Sequence, residues 1–136
     1  MIVGLIPAHN ESDGIAASIA SAAAQVDHVI VISDNSTDNT VALAEQAGAT
    51  VIESVSNRDK KAGALNQALN AMLDLGDSPF ELPVLADDDF VLVMDADSRI
   101  DEGFVARAIE DFDLTPDAGA AGGAYLADPA GGLAAQ

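Results

Sequence analysis

The chain contains no cysteine, so disulfides and thiolate metal sites are excluded, while the absence says little about compartment. Histidine is almost as scarce, with only His9 and His28, so no histidine metal cluster is available. Basic residues number 5 against 23 acidic ones, giving a formal charge of −18. Such a surface argues against nucleic acid or anionic lipid as a partner bound over a broad face. No apolar run approaches membrane-spanning length, and the start shows no basic segment followed by an apolar one. The chain is therefore expected to be soluble, most simply cytoplasmic, with no membrane segment.

What is present is enough for one domain with a real core: 136 residues, 49% hydrophobic, with a mean hydropathy of +0.23. The apolar residues fall in short runs, as in a globular protein and unlike a disordered acidic tail. A phosphate ligand would be repelled by the net charge unless a cation were bound locally.

Apolar runs and helical spacings alternate along the chain. Ile2 to Ile6 reads as a first strand, and the polar loop Pro7 to Ser12 leads to a helix capped by Ser12 or Asp13 and running to about Gln25. Ile15, Ile19, Ala22 and Ala23 form its apolar face. His28 to Ile32 is a second strand, followed by a helix capped by Ser36 or Thr37 and stopped at Gly48. Ala49 to Glu53 is a third strand. From Lys61 the spacing of Leu65, Leu69, Met72 and Leu73 is helical, with Gly76 as the stop, and 77–88 reads as a surface excursion. Phe90 to Met94 is read as a strand buried on both faces, and Glu102 to Phe112 as a helix with Asp101 its cap. Ala118 to Leu126 is expected as a glycine-diluted strand, and the last ten residues carry no fold signal. This alternation predicts an α/β protein, a mostly parallel sheet with helices on both faces.

In such a sheet the polar clusters all fall at carboxyl ends: His9 to Ser12, Asp34 to Asp38, Ser54 to Lys61, and Asp95 to Asp97. Open α/β sheets bind ligands at that edge. Asp95 and Asp97 would repel one another unless a divalent cation or a ligand with several donors takes up the charge; a chain turn and helix cap is the alternative. Asp34 is placed to accept from a base imide or a ribose hydroxyl, or else to form an Asx-turn or cap. His9 is read as a structural loop histidine and Glu11 as a brace of that loop through backbone donors. Lys60 and Lys61 stand at a helix start, where the dipole disfavours cations, which suggests a nucleotide contact; a solvated pair is the alternative. Asp38 is assigned to helix-dipole preference. Asp87, Asp88 and Asp89, together with Asp113, Asp117 and Asp128, are read as solvated.

Taken together, Pro7-Ala8-His9-Asn10-Glu11, Ser33-Asp34-Asn35-Ser36-Thr37-Asp38, Lys61-Ala62-Gly63-Ala64-Leu65-Asn66 and Asp95-Ala96-Asp97 resemble, in order and spacing, the motifs of family 2 glycosyltransferases. The resemblance implies the GT-A (Rossmann-like) fold over residues 1–126, followed by a Gly/Ala-rich tail at 127–136. It implies that Pro7, Ala8, His9, Glu11 and Asp34 hold the base of a nucleotide-diphosphate sugar, usually uracil, with Lys61 beside the uridine. By the same implication Asp95 contacts the ribose or diphosphate, and Asp97 ligates Mn²⁺ or Mg²⁺ bridging the phosphates. The metal then answers the charge problem posed by the acidic surface.

The chain departs from the family's pattern at His9, where tyrosine is more common, and at Asn35. No later acidic motif supplies the general base of inverting transfer. The expectation is therefore a truncated GT-A domain that binds UDP-sugar through a metal, with the acceptor, glycan or lipid, recognised by a missing C-terminal half. An apolar face left by that half would favour an oligomer. The alternatives are a non-catalytic nucleotide-binding or assembly module and a haloacid-dehalogenase-like phosphatase, the latter lacking its later lysine. A sugar-phosphate nucleotidyltransferase would be expected to open with a glycine-rich basic loop, which Pro7 to Glu11 is not.

Overall fold

A computed structural model describes residues 1–114 together with the strands Tyr125–Ala127 and Leu133–Ala135. The elements follow in the order β1 (Ile2–Ala8), α1 (Ile15–Ala23), β2 (His28–Ser33), α2 (Thr40–Gln46), β3 (Thr50–Glu53), α3 (Lys60–Met72), β4 (Phe90–Val93), β5 (Ser98–Ile100), α4 (Phe104–Leu114), β6 (Tyr125–Ala127) and β7 (Leu133–Ala135). Four strands make one sheet in the order β3-β2-β1-β4, and every pairing in it is parallel. A second, three-stranded sheet has the order β5-β7-β6.

Side-chain alternation along the strands builds two cores. Ile6 and Ala8 of β1 and Val29 and Val31 of β2 point to one face, where they pack with Ile15, Ile19 and Ala22 of α1, Ala44 of α2 and Val105 of α4. Val3, Leu5, Ile30 and Ile32 point to the other face and meet Ala64, Ala68 and Met72 of α3. The chain runs outward through β1, β2 and β3, and then α3 carries it back across to β4 on the far side of β1. Right-handed crossovers in opposite directions put α1 and α2 on one face and α3 on the other. The direction reverses between β1 and β4, so the ligand crevice of such a sheet lies at the carboxyl ends around these strands.

The parallel α/β architecture and the placement of all four polar clusters at one edge agree with the sequence, and several local expectations are corrected. β4 is half-buried with Val93 49% exposed, because it forms an edge of the four-stranded sheet instead of its middle. The first helix starts after Gly14, not at Ser12 or Asp13, and the second after Asn39, not at Ser36 or Thr37. In both cases residues before the helix are engaged in hydrogen bonds between loops. Ala23 is exposed, and buried Ser18 takes the place expected of an apolar residue.

Gly48 ends its helix as expected, with φ +94, and Gly76 has φ +90 beyond the end of α3. β5 has no counterpart in the expected elements, and β7 forms where composition carried no fold signal. The expected strand Ala118 to Leu126 meets the described residues at Tyr125 and Leu126, inside β6; the rest of it, with Asp117 and Asp128, lies outside the described residues.

The excursion over 77–88 is irregular but anchored. Leu82 and Leu85 pack on the second core, and the Leu85 N–H donates to the Met72 carbonyl at 2.8 Å. Asp89 is not a solvated turn residue: its carboxylate pairs with the N-terminal ammonium at 2.7 Å and accepts from the Ala86 N–H at 2.7 Å. The hydrogen bond to that ammonium holds the Asp89 carboxyl below its ordinary range and raises the amine above its own. Asp87 and Asp88 are exposed, as expected. Among the described residues no helix is long and apolar enough to cross a membrane.

Candidate functional site

At the carboxyl edge of the sheet an open crevice of about 760 Å³ is walled by His9 and Glu11 after β1, Asp34 and Asn35 after β2, and Asp59 to Ala62 at the start of α3. Three loops far apart in sequence therefore meet in one cavity. Register explains how: Ala8 stands opposite Ser33, and Ser33 opposite Glu53, so the three strands end at the same level.

The loops are laced together by hydrogen bonds. Asn10 donates its N–H to Ser36 Oγ at 3.1 Å, and its side-chain oxygen accepts from the Thr37 N–H at 2.7 Å. The Glu11 N–H donates to Thr40 Oγ1 at 2.8 Å, and the Ser12 N–H to Asp38 Oδ2 at 3.4 Å. His9 Nδ1 lies 2.6 Å from the Asp34 carbonyl oxygen. Asn10 and Asn35 hold φ of 51 and 57, left-handed values that asparagine tolerates better than most residues. Asp38 also accepts from the Thr40 hydroxyl and, at 3.0 Å, from the Thr40 N–H. These bonds, the Thr40 hydroxyl first, lower its pKa to about 2. Asp38 thus fastens two loops, a larger role than the dipole preference assigned to it.

The Asp34 carboxylate accepts from Ser54 Oγ at 2.7 Å through Oδ1, and Asn35 Nδ2 approaches the same oxygen at 3.4 Å. Glu11 does not brace its own loop through its side chain; its main-chain oxygen receives the Gly14 and Ile15 N–H groups at 3.2 and 3.0 Å. Its carboxylate is instead 3.7 Å from Lys61 Nζ, across the crevice. Pro7 and Ala8 are buried at the end of β1, outside the crevice lining, and the Ala8 carbonyl accepts from the Asp34 N–H at 2.8 Å.

Asp95 and Asp97 follow β4 and are both exposed. They stand at the same edge as the crevice, with β1 between them and the Asp34 strand, a lateral step of ~10 Å at ordinary strand spacing. Their main chain is held by one side of α1. Ser18 Oγ donates to the Asp95 carbonyl at 3.2 Å, Ser21 Oγ accepts from the Ile100 N–H at 3.1 Å, and Gln25 bonds both the Asp101 carbonyl and the Val105 N–H, at 2.8 and 3.0 Å. A methyl added at Gly14 would lie 3.4 Å from the Ala96 oxygen and the Asp97 Cα, so the start of α1 sits directly against the acidic turn.

Neither carboxylate has a protein partner among the described residues, and no group of three or more His, Cys, Asp or Glu there is arranged to hold a metal. Two unengaged carboxylates could supply only part of the ligand set of a hard divalent ion, which takes oxygen donors and commonly keeps several waters.

Sequence reading missed Ser18 and Ser21, and took Gln25 only as a helix end and Ser54 only as the first residue of a polar loop. Ser18 did leave a signal, as a polar residue on the helical stripe formed by Ile15, Ile19 and Ala22.

A parallel sheet in the order 3-2-1-4 with a polar crevice at its carboxyl edge is a doubly wound, Rossmann-like α/β arrangement, and the solved structures it is similar to place it in the GT-A fold. The sequence matches the family model described as Glycosyl transferase family 2 over residues 5–74, and the chain belongs to that family. Among solved structures it is similar to glucosyl-3-phosphoglycerate synthase from Mycobacterium tuberculosis, crystallised with Mn²⁺, UDP and phosphoglyceric acid. That match has a TM-score of 0.61 and 27% identity over 85% of this chain and 39% of that one. The complex of the same enzyme with Mn²⁺, UDP-glucose and phosphoglyceric acid gives 0.62 and 26%, over 86% and 40%. TarS from S. aureus shares the fold, with a TM-score of 0.59 and 22% identity over 83% of this chain and 32% of that one. The chain thus spans about two fifths or less of the length of these structures. No curated protein matches it.

Proposed function

We propose that this chain is the donor-binding portion of a metal-dependent glycosyltransferase that takes a nucleotide-diphosphate sugar, with UDP as the nucleotide. The observation that carries this reading is the convergence of His9, Glu11, Asp34 and Lys61 in one crevice at the sheet edge where Asp95 and Asp97 also stand. The M. tuberculosis enzyme, similar in fold and crystallised with Mn²⁺ and UDP-glucose, supports the ligand class.

In this reading Asp34 accepts a base N–H, and the laced loops of Pro7 to Glu11 and Asp34 to Asp38 keep that acceptor fixed. Lys61, steered by Glu11, faces the nucleotide with one of the few positive charges on an acidic protein. Asp95 and Asp97 would hold the divalent ion, Mn²⁺ or Mg²⁺, which when bound neutralises charge developing on the leaving diphosphate. Ser18, bonded to the Asp95 carbonyl, fixes the main chain of the turn that carries both carboxylates. Transfer to an acceptor also needs a base on the acceptor side, and a chain that binds donor without turnover would act as a nucleotide-binding module.

Calorimetry with UDP in the presence of Mn²⁺, repeated with EDTA and with Asp97→Ala, tests the reading. Binding that needs both the metal and Asp97 is expected. No UDP binding at millimolar concentration with Mn²⁺ would overturn it. UDP-sugar hydrolysis abolished by Asp97→Ala assigns catalysis to the chain, whereas binding without hydrolysis assigns the module.

A further inference from the structure

The Asp34 carboxylate has one oxygen already engaged, and the residue that engages it directly follows a different strand. Ser54, 7% exposed, directly follows β3. Its own N–H is spent on the Ser33 carbonyl at 2.9 Å, which fixes its main chain beside the end of β2. Its hydroxyl is 2.7 Å from Asp34 Oδ1. An ionised carboxylate can only accept, so the serine must be the donor there. Asn35 Nδ2, at 3.4 Å, takes the remaining direction on the same oxygen. Oδ2 has no partner among the described residues, and Asp34 lines the crevice.

We propose that Ser54 is a specificity-determining residue: by occupying Oδ1 it makes Asp34 a single acceptor, suited to a base with one imide N–H and unsuited to guanine. This rests on the reading of Asp34 as the base contact. A carboxylate with both oxygens free is a two-pronged acceptor, matching two adjacent donors such as the ring N–H and exocyclic amine of guanine. With one prong engaged, guanine forgoes the second charge-assisted bond that a free carboxylate would offer it. Uracil presents one N–H between two carbonyls and asks for a single acceptor. The loop lacing serves the same end, because the His9 ring bonded to the Asp34 main-chain oxygen fixes the backbone from which the carboxylate projects.

The test compares UDP with GDP by calorimetry in the presence of Mn²⁺, for the whole chain and for Ser54→Ala, Ser54→Gly, Ser54→Thr and Asp34→Asn. The unaltered chain is expected to prefer UDP. Removing the hydroxyl, with alanine or glycine, should shrink the UDP-to-GDP preference by about tenfold, chiefly through tighter GDP, since a second charge-assisted bond becomes available. Threonine, which keeps the hydroxyl, should retain the original ratio. Two hydroxyl-free variants guard against one of them failing to fold, checked by thermal melting.

A ratio unchanged in both folded variants, or an equal loss of both nucleotides, would overturn the proposal and leave Ser54 as a structural residue. Asp34→Asn separates the levels. If it binds UDP as tightly as the unaltered chain, the base contact itself is misassigned. If it loses UDP while the serine variants keep the ratio, only the role of Ser54 fails.

Discussion

His9 Nδ1 sits 2.6 Å from the main-chain oxygen of Asp34, joining the loop after β1 to the loop after β2. A carbonyl cannot donate, so the ring carries its proton on Nδ1, and in the neutral imidazole Nε2 is left as an acceptor, 3.5 Å from Asn10 Nδ2. The contact fixes the backbone from which the Asp34 carboxylate projects, and with it the wall of the crevice.

Replacing His9 with alanine should therefore weaken UDP binding without unfolding the chain. The residue is exposed, and one neutral hydrogen bond is lost, so affinity should fall by about two- to tenfold. Calorimetry beside a melting curve checks it: affinity should drop while the melting temperature barely moves.

Lys61 and Glu11 form a pair 3.7 Å apart whose side chains are 44% and 24% exposed. Breaking such a pair should change stability by less than about 1 kcal/mol. Lys61→Ala should nevertheless lower UDP affinity by about tenfold, because a charged donor to the ligand is removed. Urea unfolding and calorimetry on the same variant give the two readouts, and salt should weaken UDP binding less in the variant than in the unaltered chain.

Gly63 in α3 admits the Asn57 side chain against its α-carbon. A Cβ there would fall 2.9 Å from both Asn57 Cγ and Asp59 Cβ, and would collide outright with Asn57 Oδ1. Asn57 is itself held by the Lys60 carbonyl at 2.7 Å and the Asp59 N–H at 3.0 Å, so it cannot move away freely. Gly63→Ala is expected to destabilise the fold by about 1–3 kcal/mol, despite alanine's better helix propensity. Urea denaturation would show it, and pairing the change with Asn57→Ala should recover much of the loss.

Asp38 has its carboxyl lowered from 3.8 to about 2 by the Thr40 hydroxyl and by the Thr40 and Ser12 N–H groups. A folded-state value below the unfolded one means stability that is present above 3.8 and lost as pH falls through about 2. The stability advantage of the unaltered chain over Asp38→Asn should be full near about pH 6 and should close as the pH approaches about 2. Denaturant melts of both proteins across that range measure it.

Local pattern carried a great deal of this structure. Five-residue apolar runs such as Ile2 to Ile6 can only be covered on both faces, and helical spacings between them require crossovers, so the parallel sheet and its helices follow from hydrophobic periodicity. Chain direction then fixes which loops share an edge, which is why the segments carrying His9, Asp34, Lys61 and Asp95 could be placed at one edge from their positions after strands. Helix starts were less legible. Ser12, Ser36 and Thr37 have capping chemistry, but in the fold their partners are across the loop pair, while Asp38 bonds Thr40 at the start of α2 as well as Ser12 across the pair.

Residue pattern was thus sufficient for the order of elements, the edge at which the polar clusters gather, and the family to which the chain belongs. Folding in three dimensions was needed to make β4 an edge strand, to pair Asp89 with the N-terminus, to hold the acidic turn with Ser18, Ser21 and Gln25 of α1, and to bring Ser54 onto Asp34. Periodicity reports which face a residue takes, because burial is averaged over a whole face. A hydrogen bond depends on two atoms from distant segments meeting within a few tenths of an ångström, and that is set only when the strands come into register.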